Sequence, residues 1–293
     1  MAITVNTNMA SLTAQKSLNN ATTKMNSAME RMSTGLRINT SSDDAAGMAV
    51  ATKLNYQVSS LNVAQDNGQM GASMLDTTEG VLDVMQTNFQ RIRDLTEQAA
   101  NGTYGSDAMK AIKTEVAARL EEVTRLAKSS EFNGKVLLNG DENNGGIEHD
   151  IKLQVGIDSS ENSTITMDRS LFAKATATAL LGQFAGKSTI EDITKEAYTN
   201  DENAREFLDN IDSALANITD RKTAIGGNQQ RILSAIDAAG VMETNLTSSA
   251  SLIQDADLAD ESSNYIKQQI LQQTSSTLLA TANQAPAIAT SLV

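Results

Sequence analysis

A seven-residue repeat of apolar side chains is the feature that most limits what this chain can fold into. In the first half of the chain the repeat runs through Leu54, Leu61, Gly68, Leu75, Leu82, Phe89 and Thr96. A second repeat, far along the chain, runs through Ile211, Ile218, Ile225, Ile232, Ala239, Leu246 and Ile253. The first repeat has a companion seam three residues further on, and such alternation of three and four is typical of helices that pack along their length. The sequence therefore predicts two long helices.

A third helix is predicted between residues 109 and 127. Its apolar side chains share one face: Met109, Ile112, Val116, Leu120 and Val123. None of the three helices can bury its stripe alone, so together they predict a bundle. The predicted fold class is mainly α, a long antiparallel helical bundle or coiled coil built from both termini, with a small β-hairpin region in the middle.

The middle of the chain changes from helical to strand periodicity. Asn133-Gly134 is a turn signal. Beyond it, apolar side chains occupy every second position at Ile151, Leu153, Val155 and Ile157. This alternation predicts a strand, and Ile165 and Met167 supply a second one, with the hairpin turning at residues 158–163.

Two local patterns refine the helices. Thr199 followed by Glu202 matches a capping box and predicts the start of the helix that carries the isoleucine repeat. Gly68 and Gly71 lie inside a predicted helical seam, where glycine costs about 1 kcal/mol relative to alanine. We interpret both glycines as positions where a partner helix approaches the backbone closely.

The two ends of the chain carry weaker versions of the helical pattern. Near the start, the seam consists of Leu18, Ala21, Met25, Ala28 and Met32. At the other end it consists of Leu271, Thr274, Leu278, Thr281, Ala285, Ile288 and Leu292. At about 25 cal/mol per Å² of buried apolar area, stripes so poor in large side chains scarcely offset the cost of ordering the backbone. We therefore expect both ends to be disordered in the monomer and to become ordered against other copies.

Composition excludes several classes of function. The formal net charge of -13 disfavours binding to nucleic acid and to anionic membrane surfaces. Cysteine is absent, which excludes disulfides and thiolate chemistry. No apolar run approaches the roughly 20 residues that cross a bilayer, so membrane insertion is not expected. Residues 1–8 lack the basic region and apolar core of a cleaved secretory signal.

No residue pattern predicts a catalytic centre, a cofactor or a metal site. HExxH, Walker and GxGxxG motifs are absent from the sequence. His149 is the only histidine, and no nucleophile motif accompanies it. In a strand, Glu148 and Asp150 would point to the face opposite His149, so we interpret His149 as a surface residue. The acidic residues at 255–261 fit a helix start better than a cation site.

Several unusual strings occur in an order and spacing that resemble one family. They are MERMSTGLRIN at 29–39, SDDAAG at 42–47, FNG and LL at 132–138, TNL at 244–246, DAD at 255–257 and ANQAP at 282–286. Together they cover about the first 140 and the last 90 residues and resemble bacterial flagellin. Met32 stands where that family usually has leucine, and the central segment is short.

The resemblance implies a structural role and no enzymatic activity. In flagellins the termini pair as a coiled coil that lines the channel of the extracellular flagellar filament, and long helices form a rod around them. Subunits leave the cell largely unfolded through the flagellar type III apparatus. The implied partners are further copies of the chain, alone or with other flagellins, the filament cap and hook-junction proteins. An export chaperone is implied for the segment from Leu271 to Leu292.

The expected domains follow from the helical patterns and the resemblance. Residues 1–45 with 254–293 form a discontinuous terminal coiled-coil domain, residues 46–140 with 200–253 a helical rod domain, and residues 141–199 its reduced hairpin and loop region. The expected rod core consists of Leu54, Leu61, Leu75, Leu82, Phe89, Ile211, Ile218, Ile225, Ile232 and Leu246.

The expected subunit interface consists of Leu18, Met25, Met32, Leu36, Arg37, Asp43, Asp44, Leu271, Leu278, Ala285 and Leu292. The four positions between residues 36 and 44 enter through the resemblance, because this segment contacts neighbouring subunits in flagellins. The alternative, that Asp43 and Asp44 belong to the cap and acidic first turn of the next helix, is compatible with that role.

The stretch from Phe89 to Leu95 resembles a segment that the flagellin-sensing Toll-like receptor of animal hosts recognises. The resemblance implies Arg91, Leu95 and Glu115 as contact positions. The structural alternative is that Phe89 and Ile92 belong to the core and that Arg91 is a solvated or inter-subunit charge.

Three alternatives to a filament subunit are open. A hook–filament junction protein shares related terminal helices but usually matches the segment from Gly35 to Gly47 less completely. A secreted coiled-coil interaction protein explains the heptads but not the paired terminal strings. A flagellin with a catalytic central domain needs a longer central segment with suitable ligands.

Overall fold

The computed structural model describes residues 7–140, 146–147 and 149–290, with the backbone alone for residues 285–290. In these residues the chain forms α1 (Met9–Thr34), α2 (Ala45–Ala99), α3 (Ser106–Ser129), β1 (Glu131–Phe132), β2 (Lys135–Val136), β3 (Ile151–Gln154), β4 (Thr164–Met167), α4 (Ala177–Leu181), α5 (Ile190–Ala197), α6 (Asp201–Gln254) and α7 (Leu258–Thr290). The prediction of a mainly α fold with a small hairpin region in the middle is confirmed. Among the described residues, none of the helices combines the length and apolar composition that a bilayer span requires.

The chain divides into two compact units. The terminal unit comprises the residues up to Ser59 and those from Glu243 onward, and the central unit comprises the residues from Ser60 to Met242. Both boundaries fall inside helices. One lies about two heptads after the start of α2, and the other lies between about one and two heptads before the end of α6. The expected domain boundaries followed helix ends instead, because a sequence pattern marks where a helix starts and not where its packing partners change.

The core of the central unit lies between α2, α3 and α6. Its buried heptad residues are Leu61, Leu75, Leu82, Phe89, Ile211, Ile218, Ile225 and Ile232. Leu54 and Leu246 belong to the terminal unit and are half-buried. The predicted third helix is confirmed as α3, with Ile112, Val116, Leu120 and Val123 buried on one face. This helix also packs against α4 and α5.

The central hairpin is confirmed as β3 and β4. The strands are antiparallel, with Ile151 opposite Met167 and Leu153 opposite Ile165. β3 is shorter than the alternating pattern predicts, because the chain turns after the Val155 N–H has donated to the Ser163 carbonyl at 2.9 Å. The register of the hairpin is therefore determined by the two apolar pairs, Ile151 with Met167 and Leu153 with Ile165. Val155 and Ile157 lie beyond the last pair and do not contribute to it.

The turn predicted at Asn133-Gly134 is confirmed and connects β1 to β2. Both residues have positive φ, 49° for Asn133 and 79° for Gly134. A two-residue hairpin loop with two positive φ angles is the type I′ turn that asparagine and glycine favour.

The predicted capping box at Thr199 is wrong. The Asn203 N–H donates to Asn200 Oδ1 at 2.8 Å, so Asn200 caps the amino end of α6. The Thr199 hydroxyl donates back to the Lys195 carbonyl at 2.7 Å, at the end of α5. In the sequence Thr199-Asn200-Asp201-Glu202, the string alone cannot show whether Thr199 or Asn200 caps the helix, since threonine and asparagine are both good N-caps.

The two seam glycines lie at close approaches. A Cβ on Gly68 would lie 2.7 Å from Ile236 Cγ1 of α6, so a partner helix does approach there. A Cβ on Gly71 would lie 2.5 Å from Leu153 Cδ2, which belongs to β3. The interpretation is therefore confirmed at Gly68, whereas at Gly71 the neighbour is a strand and not a helix.

Candidate assembly surface

The terminal unit is built around an antiparallel pair formed by α1 and α7. At one end of α1, Asn8 caps the helix by accepting the Ser11 N–H at 3.1 Å. At the other end, Gly35 stops it with φ of 72° and donates its N–H to the Arg31 carbonyl at 2.8 Å. A glycine in the left-handed conformation at this position is a common helix stop.

The face of α1 that meets α7 is the seam predicted from the sequence. Ala21 and Ala28 are buried, and Leu18, Met25 and Met32 are half-buried. These three residues, expected at the subunit interface, therefore line the contact between two helices of one chain. Small alanines on this face let the helices approach while burying little apolar area.

The face of α7 that meets α1 is mostly polar. Its partly or fully covered side chains recur at spacings of three and four: Glu261, Tyr265, Gln268, Gln272, Ser275, Leu279 and Ala282. Leu279 is half-buried, whereas five other large aliphatic side chains in the described part of the same helix are exposed by 44–58%: Leu258, Ile266, Ile270, Leu271 and Leu278. The helix is thus inverted, with a mostly polar stripe toward its partner and most of its large aliphatic side chains toward solvent.

Hydrogen bonds and one ion pair tie the two helices along their length. The Asn8 amide donates to the Ala282 carbonyl at 2.7 Å, and the Gln272 amide donates to the Thr22 hydroxyl at 3.0 Å. At the other end Arg31 pairs with Glu261 at 3.2 Å. Such hydrogen bonds and ion pairs fix the register of a helix pair, but each adds only about 1 kcal/mol to its stability.

An open groove of about 750 Å³ runs between α1 and α7. Met9, Ala14, Leu271 and Leu278 contribute to its walls, and the remaining lining residues are small or hydroxylated. Among the described residues, no charged side chain lines it. Leu271 and Leu278, expected at the subunit interface, therefore border a groove that nothing in the described chain fills.

The connectors at the base of the helix pair bind each other through the backbone. The Ala256 N–H donates to the Gly35 carbonyl at 2.9 Å, and the Arg37 N–H donates to the Gln254 carbonyl at 2.6 Å. Leu36, opposite Asp255, is half-buried in this short bridge. The Arg37 guanidinium adds a bond to a carbonyl of α6. Leu36 and Arg37 thus hold the two connectors together within one chain.

Asp43 and Asp44 organise the turn that leads into α2. Asp44 Oδ1 accepts the N–H groups of Ala46 at 3.0 Å and Gly47 at 2.9 Å, so Asp44 is the cap of that helix. Asp43 accepts the backbone N–H groups of Thr40 and Asn39. These bonds, led by the one from Thr40, hold the pKa of Asp43 below its usual value. Both carboxylates are exposed, so capping leaves them accessible.

The three positions implied for receptor contact differ in exposure. Arg91 Nε lies 3.3 Å from Glu115 Oε1, and Arg119 also approaches that carboxylate at 3.1 Å. Partial desolvation raises the pKa of Glu115, but the bonds from Arg119 and Arg91 outweigh it and the net shift is downward. Leu95 is only 3% exposed and belongs to the core of the central unit. Its side chain offers no surface to a partner in this conformation.

The remaining expected positions are peripheral or undescribed. His149 and Asp150 are exposed, and Asp150 accepts the Arg169 N–H at 2.9 Å. Glu148 and Leu292 lie outside the described residues, and the Ala285 side chain does too. Within the described part of the chain, no three potential metal-ligating side chains come together. The inverted face of α7 is the feature that the sequence analysis missed, although Ile266 and Ile270 lie outside its seam and signal it.

Family models match both ends of the chain. The model for the bacterial flagellin N-terminal helical region matches residues 5–143, and the one for the C-terminal helical region matches residues 208–293. A flagellin of Xenorhabdus nematophila is 36% identical with all of each chain covered. Flagellin FlaB2 of Treponema pallidum is 33% identical with 96% of each chain covered.

One solved structure supports the fold. A Vibrio parahaemolyticus structure described as a flagellar hook-associated protein superposes with a TM-score of 0.59 at 18% identity, over 72% of this chain and 99% of that one. At that identity the likeness concerns the fold alone. The family models and the full-length relatives are specific to one family, and they agree with the terminal strings and the paired terminal helices. The chain belongs to the bacterial flagellin family, whose members are structural subunits of the flagellar filament.

Proposed function

We propose that this chain polymerises into the filament chiefly through the terminal helix pair of α1 and α7. The observation that carries the proposal is the inversion of α7, which directs Gln272 and Ser275 toward α1 and leaves Ile266, Leu271 and Leu278 exposed. Exposed apolar surface of this kind marks a protein–protein interface. The occupant we propose is the same helix pair of a second copy, because the described walls of the groove carry no charge and the family assembles from identical subunits.

The energetics favour assembly over folding of the monomer. Burying a leucine or isoleucine side chain contributes about 1.5–3 kcal/mol, and α7 exposes five large aliphatic residues. In the monomer these side chains are still 44–58% exposed, so about half of that contribution is not realised there. Among other copies, their burial offsets the roughly 4–15 kcal/mol that association costs in lost freedom. The terminal pair therefore becomes stable chiefly in the polymer.

The same weakness fits export of an unfolded chain. A helix pair held mainly by alanines and polar ties unfolds at low cost before passage through the flagellar type III apparatus. The exposed aliphatic residues of α7, from Leu258 to Leu278, would then have to be shielded from premature association in the cytoplasm. We propose that an export chaperone covers this face and that cap and hook-junction proteins later meet the same terminal unit outside the cell. None of these steps needs a catalytic residue.

Recognition by a host Toll-like receptor is a second proposal, for which the exposed ion pair of Arg91 and Glu115 is the supporting observation. Leu95 is buried, so we assign it to positioning α2 and not to contact. We expect R91A to reduce receptor activation by monomers with unchanged melting temperature. Equal activation by R91A and the unmodified chain would contradict this proposal.

The experiment that tests the assembly proposal is seeded elongation of the purified full-length chain. We expect the double variant L271Q/L278Q to elongate filament seeds at least about tenfold more slowly, because each change removes about 1–3 kcal/mol of apolar burial from the interface. Glutamine keeps the helix propensity. L233Q is the matched control, since Leu233 in the central unit is 44% exposed, as Leu271 is.

The proposal requires L233Q to elongate within about twofold of the unmodified chain, well inside the tenfold that 1.4 kcal/mol produces. A chain that ends before Leu271 should not elongate at all. Elongation of L271Q/L278Q at the unmodified rate would contradict the proposal.

A further inference from the structure

Four methionines among the described residues are exposed to solvent by more than half. They are Met9 at 66%, Met70 at 56%, Met242 at 55% and Met29 at 52%. Three others are buried: Met74, Met85 and Met167. Methionine is a common gap filler in protein cores, and an unbranched apolar thioether held in water stabilises little. In the exposed four, the sulfur is accessible to reactive solutes.

Two of the exposed methionines belong to the terminal unit, Met9 in the wall of its groove and Met29 beside the seam of α1. Met9 forms part of the wall of the uncharged groove, together with Leu271 and Leu278. Met29 lies four residues after Met25 and three before Met32 on α1. At those spacings helical side chains are neighbours, so Met29 extends a thioether patch from the helix seam to the surface.

Oxidation changes the chemistry of such side chains. A methionine sulfur attacks the terminal oxygen of a peroxide, the O–O bond breaks, an S–O bond forms, and water or an alcohol leaves. The sulfur is oxidised to the sulfoxide and the peroxide is reduced. A flexible apolar side chain thereby becomes polar, which disrupts methionine-containing interfaces. A sulfoxide buried in the groove costs about 1–3 kcal/mol unless a donor reaches its oxygen. The hydroxyls of Thr13, Thr274 and Thr281 in the groove wall already donate to backbone carbonyls of their own helices.

We propose that Met9 and Met29 are modification sites at which a peroxide oxidant blocks assembly of this chain. The inference rests on the proposed assembly surface. Both sites are accessible only before assembly, since a second copy covers them in the polymer. Met74, Met85 and Met167 remain reduced in the folded monomer because solvent does not reach them, and so the central unit keeps its fold.

The test treats the full-length monomer with hydrogen peroxide, maps each methionine by peptide mass spectrometry and then measures seeded elongation. We expect sulfoxide at Met9 and Met29 within the time in which Met85 and Met167 stay reduced. Elongation should fall at least about tenfold, the effect of roughly 1.4 kcal/mol at the interface. Reduction by methionine sulfoxide reductase should restore the original rate.

Variants locate the effect. M9L/M29L keeps apolar side chains of similar volume, so it should elongate normally and lose less of its elongation rate to peroxide than the unmodified chain. M70L/M242L is the matched control, with two equally exposed methionines removed from the central unit, and it should stay sensitive. Peroxide-treated unmodified chain that elongates at the untreated rate would overturn the proposal, as would inhibition of M9L/M29L to the same extent as the unmodified chain. Untreated chain that cannot elongate seeds would instead refute the assembly function itself.

Discussion

Gly68 of α2 and Ile236 of α6 approach so closely that a methyl carbon on Gly68 would lie 2.7 Å from Ile236 Cγ1. Gly68 is buried in the central unit, and Ile236 is a β-branched residue whose side chain has few rotamers in a helix. The glycine therefore admits the isoleucine into the space that any larger side chain would occupy. Glycine occupies this heptad position because of that contact, which outweighs its poor helix propensity.

The first prediction compares two glycines of α2. We expect G68A to lower the free energy of unfolding of the central unit by about 1–2 kcal/mol, because overpacking against Ile236 outweighs the helix propensity gained. G80A is the matched control, since no atom lies within 4 Å of a Cβ there. It should raise stability by about 0.5–1 kcal/mol. Chemical denaturation of both variants measures the difference, and stabilisation by G68A would contradict the packing.

The second prediction concerns the start of α6. Asn200 accepts the Asn203 N–H, so N200A should cost about 1 kcal/mol in unfolding free energy. T199A should cost less than about 0.5 kcal/mol, because the Thr199 hydroxyl only bonds back to a carbonyl already within α5. Thermal unfolding of the two variants distinguishes the caps. A larger loss in T199A would favour the capping box predicted from the sequence.

The third prediction concerns a buried hydroxyl pair. Thr96 and Tyr198 hydroxyl oxygens lie 2.5 Å apart, and burial raises the pKa of Tyr198. The Thr96 hydroxyl also bonds to the Ile92 carbonyl at 2.7 Å. In Y198F the threonine keeps that partner, so the cost should be about 1 kcal/mol or less. In T96V the tyrosine hydroxyl remains buried without a partner, so the cost should be about 1–3 kcal/mol.

Equilibrium unfolding in denaturant measures the loss of unfolding free energy in each variant. We expect T96V to lose more than Y198F. A greater loss in Y198F than in T96V would mean that the tyrosine hydroxyl is not the group that depends on the pair.

The fourth prediction concerns the pH dependence contributed by Asp43. Its folded pKa is lowered by the N–H groups of Thr40 and Asn39, whereas in the unfolded chain the pKa is near 3.9. A lowered folded pKa adds stability above the unfolded value, and this stability is lost as the pH falls through the folded pKa. D43N should therefore melt below the unmodified chain at pH 6, and the gap should narrow as the pH falls below the unfolded pKa of about 3.9. A gap that widens in acid would contradict the bonding of Asp43.

The periodicity of apolar side chains allowed the fold to be predicted from the sequence. The repeat through Leu61 and Leu82 and the one through Ile218 and Ile232 have no satisfactory arrangement except long helices that cover each other's stripes. The alternation from Ile151 predicted the hairpin for the same reason. Helix caps were harder to predict, because Thr199 and Asn200 offer similar side-chain oxygens one residue apart. Only the backbone conformation determines which of them accepts the N–H at the start of α6.

The terminal helix pair shows where sequence reasoning fails for a physical reason. A seam of Leu271 and Leu278 would face the partner helix in a protein that folds alone. In this chain Gln272 and Ser275 face α1, and both leucines are exposed. The rule that apolar stripes face a partner within the same chain does not hold for a subunit that folds among its neighbours. Composition revealed the weakness of the ends but not which face each helix presents.

Hydrogen exchange of α1 and α7 tests the central claim most directly, by comparing the monomer with the assembled filament. The account requires amides around Ala21 and Ser275 to exchange in the monomer with little protection, while those around Leu82 and Ile218 in the central unit are strongly protected. In the filament the terminal amides should become protected as well. Terminal helices as protected in the monomer as the central unit, with no further protection in the filament, would contradict it.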